Sequence, residues 1–235
     1  MKTASISNPN DVCYPFSKEW YDDPYILYHG TSHVYSESIE KNGWNVNEQP
    51  YEIDDFQNIC KLFEDIGWDA LCIEPNIEHK ESLTAHRKFV RYYACGKENK
   101  ELPLHIFRVG KDDITSSLTS LSPDERLVED HKEIINDSYK VDVKVRTLNW
   151  ILENETSDTP FENVVDIDFI SIDTEGTELD VIKGLDFDKY SVKLLIIENN
   201  YNDDNIEEYM NLMGYKKDKR YKINDFYIKH EENKI

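Results

Sequence analysis

Acidic residues directly follow apolar segments at two places in this chain, where they could bind a ligand or accept a proton. Asp173 and Glu175 follow residues 165–172, in which β-branched and aromatic side chains predict a buried strand. Glu74 follows the apolar residues 71–73 in the same way. In open α/β sheets, ligands bind beyond the carboxyl ends of the strands, where a carboxylate can accept a hydrogen bond from a hydroxyl or take its proton. We therefore expect these acids to lie in a ligand site.

The residues after Asp173 carry the signals of a turn followed by a short helix. Gly176 permits the turn. Thr177 with Asp180 three residues later is a capping-box pattern, and Gly184 is placed to end the helix. The local pattern is therefore strand, acid-bearing turn, helix.

This segment resembles the signature of the FkbM family of S-adenosylmethionine (SAM) dependent methyltransferases, in which a strand runs into Asp-x-Glu-Gly and then a helix. Here the motif is Asp173-Thr174-Glu175-Gly176. Residues 67–76 resemble the family's second strand, which ends in Glu-Pro-Asn. Later segments follow in the family's order, at residues 93–96, 116–118, 143–152 and 194–198, and residues 214–215 with 224–228 match its usual ending. The resemblance extends from about residue 56 to the C-terminus.

The resemblance implies a Rossmann-like class I methyltransferase fold of the α/β class. Its sheet is mostly parallel, has helices on both faces and ends in an antiparallel strand, here residues 225–229. Apolar strands alternating with helices favour the same architecture. We divide the chain into an atypical N-terminal segment, 1–66, with a lead-in, a strand and two helices, and an FkbM-like domain, 67–235. A polar connection over residues 112–136, with a helix from Pro123, lies where this family builds its substrate lid.

The resemblance also implies transfer of a methyl group from SAM to an oxygen, with a hydroxyl of a glycan or a small metabolite as the acceptor. Asp173 is the first candidate for the general base and Glu175 the second. Glu74 would bind the ribose of the cofactor, and Asn76 is a further candidate for cofactor binding. Ala94 and Cys95 would lie along the adenine. We predict no metal site.

The chain departs from the family pattern ahead of Glu74, where the usual glycine-rich turn is not found. Such a turn lets the backbone approach the cofactor closely. The nearest equivalent is the strand and turn at residues 25–32, so the first strand and its glycine loop are atypical. We expect His29 and Gly30 to replace that loop. The departure leaves a second hypothesis open, a catalytically inactive FkbM-like domain that acts as a binding or interaction module.

Residues 27–32 also resemble the opening of ADP-ribosyltransferase-like proteins, in which the histidine of a Tyr-His-Gly-Thr strand contacts NAD. The later tyrosine and catalytic glutamate of that family cannot be placed in this chain. An NAD-binding protein of that kind is therefore a remote alternative.

Composition narrows the classes of partner. The 235 residues are 39% hydrophobic, enough for one α/β domain with an ample core. A net charge of −21 disfavours undirected binding to nucleic acid, because phosphate contacts need clustered Lys and Arg. No segment approaches the roughly 18 apolar residues of a membrane span, and no apolar run follows Met1 as in a secretory signal. The four cysteines show neither close pairing nor metal-ligand spacing. We expect a cytoplasmic protein with a small-molecule or glycan partner and leave the oligomeric state open.

Overall fold

The computed structural model describes residues 64, 67–109 and 116–229, and the backbone of residues 25–29. Within these ranges there are eleven strands: β1 (Tyr25–His29), β2 (Asp69–Ile73), β3 (Phe89–Arg91), β4 (Ala94–Cys95), β5 (Lys100–Val109), β6 (Ser116–Ser120), β7 (Ile135–Arg146), β8 (Asp166–Ile172), β9 (Ser191–Glu198), β10 (Tyr215–Tyr221) and β11 (Asn224–Lys229). The α-helices described are α1 (Lys80–His86), α2 (Glu125–His131), α3 (Leu148–Asn154), α4 (Glu178–Ile182) and α5 (Asp204–Leu212). A 3-10 helix, Ile77–His79, precedes α1.

Seven of these strands form one sheet in the order β10-β11-β9-β8-β1-β2-β3. The pairs β1–β2, β1–β8, β2–β3 and β8–β9 are parallel, and β11 runs antiparallel to both β9 and β10. One mixed sheet therefore contains the strands predicted around residues 70–73, 169–172 and 194–197. Its strand β11 is antiparallel, as expected for the last strand. β1 lies between β2 and β8, so residues 25–29 share this sheet with the later strands. The proposed domain boundary at residue 66 stays a prediction.

The central strands are apolar throughout because their side chains alternate between two buried faces of the sheet. On one face Ile170 and Leu195 belong to a core cluster that includes residues of α3, α4 and α5. On the other face Phe169 and Leu194 pack in a second cluster that includes Leu83 of α1. Because successive side chains of a strand point to opposite faces, a sheet covered on both sides needs apolar residues at nearly every position.

A second sheet has the order β4-β7-β5-β6. The long strands β5 and β7 pair antiparallel, β6 pairs antiparallel with β5, and β4 pairs parallel with β7. The prediction of a polar connection over residues 112–136 was therefore wrong in part, because β6 and the start of β7 belong to this sheet. The sequence Ser116–Ser120 is polar, and its pairing with β5 gives it a strand conformation that its side chains do not indicate. The predicted helix is present as α2, which begins at Glu125.

The described helices are short. The longest, α5, has nine residues. In the part of the chain that the structure describes, no helix combines the length and the apolar composition needed to cross a bilayer.

Candidate active site

The candidate site lies at the carboxyl ends of the central parallel strands. His29, the last residue of β1, pairs with Ile73 on one side and with Ile172 on the other. Glu74 and Asp173 follow Ile73 and Ile172 directly, so both come out at the same edge of the sheet. The chain proceeds outward from β1 through β2 to β3, and on the other side from β8 to β9. The gap between β1 and β8 is thus a topological switch point, the place where open α/β sheets bind ligands.

Three carboxylates meet at this edge. Asp173, Glu175 and Glu198 each place one carboxylate oxygen within 4.8 Å of the others. The structure therefore brings the two predicted catalytic acids together. It adds Glu198, which our sequence-based site did not include. Glu198 ends the apolar strand β9 just as Glu74 follows β2, so the rule that identified Glu74 and Asp173 would also have identified Glu198.

Burial and like charge act together on these acids. Burial, followed by the charges of Asp173 and Glu178, raises the pKa of Glu175 to about 9. Burial is also the main reason why the pKa of Glu198 lies well above its usual range, followed by the neighbouring charge of Asp173. A carboxylate that loses water and gains negative neighbours favours whatever reduces its charge. The cluster is therefore suited to hold a proton or a cation.

Glu74 lies on the other side of the switch point and is only 1% exposed. Its Oε1 accepts a hydrogen bond of 2.7 Å from the backbone N–H of Asn76. Burial raises the pKa of Glu74 well above its usual range although this hydrogen bond lowers it, and the charge of Asp173 raises it again. The acids after β2 and β8 are therefore close enough for the charge of one to act on the other.

Asn76 has a structural part in this turn. Its side-chain oxygen accepts a hydrogen bond of 3.0 Å from the backbone N–H of Glu78, which caps the 3-10 helix. Its amide nitrogen lies 3.2 Å from Nε2 of the buried His79. The predicted contact of Asn76 with a cofactor stays a prediction, and these bonds fix the turn that carries Glu74.

The acid-bearing turn after β8 is held by Glu178. One oxygen of this buried carboxylate accepts hydrogen bonds from the backbone N–H and the hydroxyl of Thr174, both at 2.9 Å, and from the N–H of Gly176 at 3.0 Å. The predicted capping box was wrong. Thr177 is the N-cap residue of α4, but its side chain makes no capping hydrogen bond, and Asp180 pairs with Lys97 instead.

The segment between β6 and α2 packs onto the same turn. Gly176 has a φ of +109°, and a Cβ there would stand 3.5 Å from the carbonyl oxygen of Ser122. Arg126, at the start of α2, donates hydrogen bonds to Asp203 and lies 3.9 Å from the centre of the Tyr201 ring. These contacts join α2 to the loop after β9, so the segment that leads from β6 into α2 is fixed beside the acidic cluster.

A cleft of about 230 Å³, solvent-open space included, adjoins the acids. Ala94 and Cys95, which we predicted to lie along the adenine, both line it and are nearly fully buried. Pro75 and Thr174, next to Glu74 and Asp173 in the chain, line it as well. Burial raises the pKa of the Cys95 thiol, so this residue gives the cleft an uncharged wall. The full set of lining residues is Pro75, Ala94, Cys95, Leu104, Thr119, Ser120, Leu121, Thr174 and Thr177.

The predicted replacement for the glycine loop falls largely outside the described residues. Gly30 lies outside them, and so does the side chain of His29. The backbone of His29 ends β1 between β2 and β8. The contact of these two residues with a cofactor stays a prediction.

Comparison with protein families matches residues 41–221 of this chain to the model described as the methyltransferase FkbM domain. No curated protein and no solved structure matches the chain.

Proposed function

The chain belongs to the FkbM methyltransferase family, and from that premise we propose that it transfers a methyl group from SAM to a hydroxyl of a glycan or a small metabolite. The observation that carries this proposal is the convergence of Glu74, Asp173 and Glu198 from three different strands on one switch point. We further propose that the seven-stranded sheet is a Rossmann-like methyltransferase sheet, with β1 as its divergent first strand. The strand order and the antiparallel β11 support this assignment.

The residues around the cleft fit a nucleoside cofactor with a positive charge. Glu74 stands at the end of β2, where an acid of this fold class accepts hydrogen bonds from ribose hydroxyls. Ala94 and Cys95 offer an apolar wall beside it, suited to a base. The acidic cluster on the β8 side matches the positive charge of a sulfonium. When bound, SAM supplies a methyl group already activated by its sulfonium.

The chain's own residues then position the acceptor and remove its proton. Asp173 comes directly after β8, and its carboxylate is held between Glu74 and Glu198 by the spacing of the strands. As the acceptor oxygen receives the methyl group and the cofactor leaves as a neutral thioether, Asp173 would take the hydroxyl proton. Orientation of the two partners accounts for most of the expected rate, since the leaving group needs no further activation.

Calorimetric titration of the full chain with SAM and with its demethylated product tests the proposal. We expect saturable binding of both. Glu74→Gln should weaken binding by about ten- to a hundredfold, because it removes a charge-assisted hydrogen bond worth about 1.5–3 kcal/mol. Glu78→Gln, the same change at an exposed position four residues away, is the matched control and should bind like wild type. Absence of heat and of a thermal shift at millimolar ligand would contradict the proposal.

The size of the cleft supports a second candidate. Sites for small molecules typically measure about 300–1,000 Å³, whereas only about 10 Å³ of this cleft is enclosed space that a water-sized molecule can enter. A catalytically inactive FkbM domain that acts as a binding module would not need the larger site. The same titration separates the two candidates, since the inactive binding module is expected to bind neither SAM nor its demethylated product. The NAD-binding alternative depends on residues 27–32, which the family match does not include.

A further inference from the structure

We propose that Asp173, Glu175 and Glu198 form a binding site for a divalent cation of the Mg²⁺, Mn²⁺ or Ca²⁺ class. This differs from the sequence-based prediction that the chain has no metal site. Binding of the ion is independent of the proposed methyl transfer. The role that we give to the ion deepens that function and rests on it.

The spacing of the three acids is that of ligands to one ion. Their carboxylate oxygens lie within 4.8 Å of one another. Oxygen ligands lie at about 2.0–2.1 Å from Mg²⁺ and about 2.3–2.6 Å from Ca²⁺, so two ligands on opposite sides of one ion are about 4–5 Å apart. A single ion can therefore contact all three side chains with little movement. An all-carboxylate set selects hard cations over Zn²⁺ or Cu²⁺, which prefer nitrogen and sulfur.

The second observation is the state of Glu198. The residue is only 6% exposed, and its Oε2 is buried without a hydrogen-bond donor among the described residues, because the side chain that it meets is the carboxyl of Asp173, another acidic group. Leaving a buried carboxylate oxygen unsatisfied is costly, because the water that it loses is not replaced. Glu178 provides the contrast within the same loop, since its carboxylate accepts three hydrogen bonds. The structure thus satisfies the acid that supports the turn and leaves Glu198 available to a ligand.

The backbone holds these acids in place before any ion binds. Ile172 of β8 pairs with Ile197 of β9, so the next residues, Asp173 and Glu198, leave neighbouring strands at the same level. Glu175 has a φ of +56°, a left-handed conformation that costs a non-glycine residue about 1–2 kcal/mol. The hydrogen bonds from Thr174 and Gly176 to Glu178 hold this conformation on both sides of Glu175. The strain is explained if the conformation is needed to aim Glu175 at the same ion.

An ion at this place would contact the acceptor oxygen of the proposed reaction. A divalent cation lowers the pKa of an oxygen that it binds, so the acceptor hydroxyl would lose its proton more readily. Asp173 would then hold the ion with one carboxylate oxygen and take the hydroxyl proton with the other. The competing explanation is a proton shared between Asp173 and Glu198, which the test below excludes or establishes.

Mn²⁺ binding to the full chain, freed of metal with EDTA and followed by the electron paramagnetic resonance of free Mn²⁺, tests the site. The buffer contains about 150 mM salt to screen the surface charge, and neither SAM nor an acceptor. We expect one Mn²⁺ per chain, displaced by Mg²⁺ or Ca²⁺. Glu198→Gln should weaken binding at least tenfold, and so should Asp173→Asn. Glu208→Gln, at an exposed position of α5, is the matched control and should leave binding unchanged.

The outcomes separate the ion from the methyl transfer. If wild type binds no Mn²⁺ above the level of Glu198→Gln, the cation site is overturned and the acids share protons instead. Circular dichroism of each variant shows whether it is folded. If Glu198→Gln is unfolded, the Mn²⁺ affinity of Asp173→Asn tests the site instead. Mn²⁺ binding without SAM binding would keep the ion site and contradict the proposed function. SAM binding without Mn²⁺ binding would overturn the ion site and leave the proposed function in place.

Discussion

Asp173 and Glu198 come from neighbouring parallel strands and place their carboxyl groups side by side at the end of the sheet. Their closeness follows from the register, in which Ile172 lies opposite Ile197. Burial raises the pKa of Glu198 most, and the negative charge of Asp173 raises it further, because each charge makes the other less favourable. Two acids 25 residues apart in the chain therefore act as one group.

Replacement of Asp173 by Asn should lower turnover much more than it lowers affinity for SAM. The proposed partner of Asp173 is the acceptor, and a general base typically contributes a factor of about 10²–10⁴. We expect kcat to fall by about a hundredfold or more, with the SAM dissociation constant within about threefold of wild type. Transfer of labelled methyl from SAM to acceptor glycans or metabolites gives the first quantity, and calorimetry gives the second. Asp180→Asn, which changes only a half-exposed ion pair with Lys97, serves as the control. Equal losses of SAM affinity in Asp173→Asn and Glu74→Gln would contradict the separate roles.

Stability should fall as pH rises, in part because of Glu74. Burial raises the pKa of this carboxyl above the value of 4.5 that it has in an exposed chain. Between pH 4.5 and the higher folded-state pKa, the folded protein binds more protons than the unfolded one. Stability present below pH 4.5 is therefore lost through that window, with a slope of up to about 1.4 kcal/mol per pH unit from this one group.

Glu74→Gln should reduce this loss, since its amide stays neutral and its oxygen can still accept from Asn76. Urea unfolding in divalent-free buffer at pH 5 and pH 8 measures the difference, with Glu78→Gln as the control. A difference between the two pH values that is the same in Glu74→Gln as in wild type would show that Glu74 does not contribute.

Glu178→Ala should disorder the turn that carries the candidate catalytic acids. It removes the shared acceptor of three hydrogen bonds, and we expect a loss of about 2–4 kcal/mol in the free energy of unfolding. Turnover should fall as well, because Asp173 and Glu175 lie on that turn. Asp180→Ala removes an acid from the same helix but only a half-exposed ion pair, and should cost less than about 1 kcal/mol. Chemical unfolding of the two variants decides whether Glu178 supports the turn.

Gly184→Ala should destabilise the protein by about 1–3 kcal/mol. A Cβ at this position would stand 2.3 Å from the carbonyl oxygen of Gly96, and neither backbone can give way without separating α4 from the turn after β4. Thermal unfolding measures the change. Lys183→Ala, at the exposed neighbouring position, should stay within about 0.5 kcal/mol of wild type. Wild-type stability of Gly184→Ala would mean that the approach of Gly96 is not tight.

The same glycine shows where sequence reasoning stops. From the chain, Gly184 was expected to end a helix, and the described helix α4 does end two residues before it. The contact that requires a glycine there is with Gly96, which is 88 residues away and could not be found from local pattern. Thr177 and Asp180 illustrate the opposite error. Their spacing matched a capping box, but Glu178 binds the turn instead.

Apolar runs and the residues that end them determined β2, β8 and β9, because burial on both faces of a sheet leaves a continuous apolar signal. The last strand, β11, was expected from the family resemblance instead. The same runs identified Glu74, Asp173 and Glu175, since an acid that follows a buried strand can be recognised from the sequence alone. Strand order and register are not local properties. The pairing of β8 with β9 decided that Glu198 joins the acids, and the pairing of the polar β6 with β5 decided that a second sheet borders them. Whether an acid serves to bind a ligand or to hold a turn was likewise decided by tertiary structure, because it depends on which donors the fold brings within reach of each carboxylate.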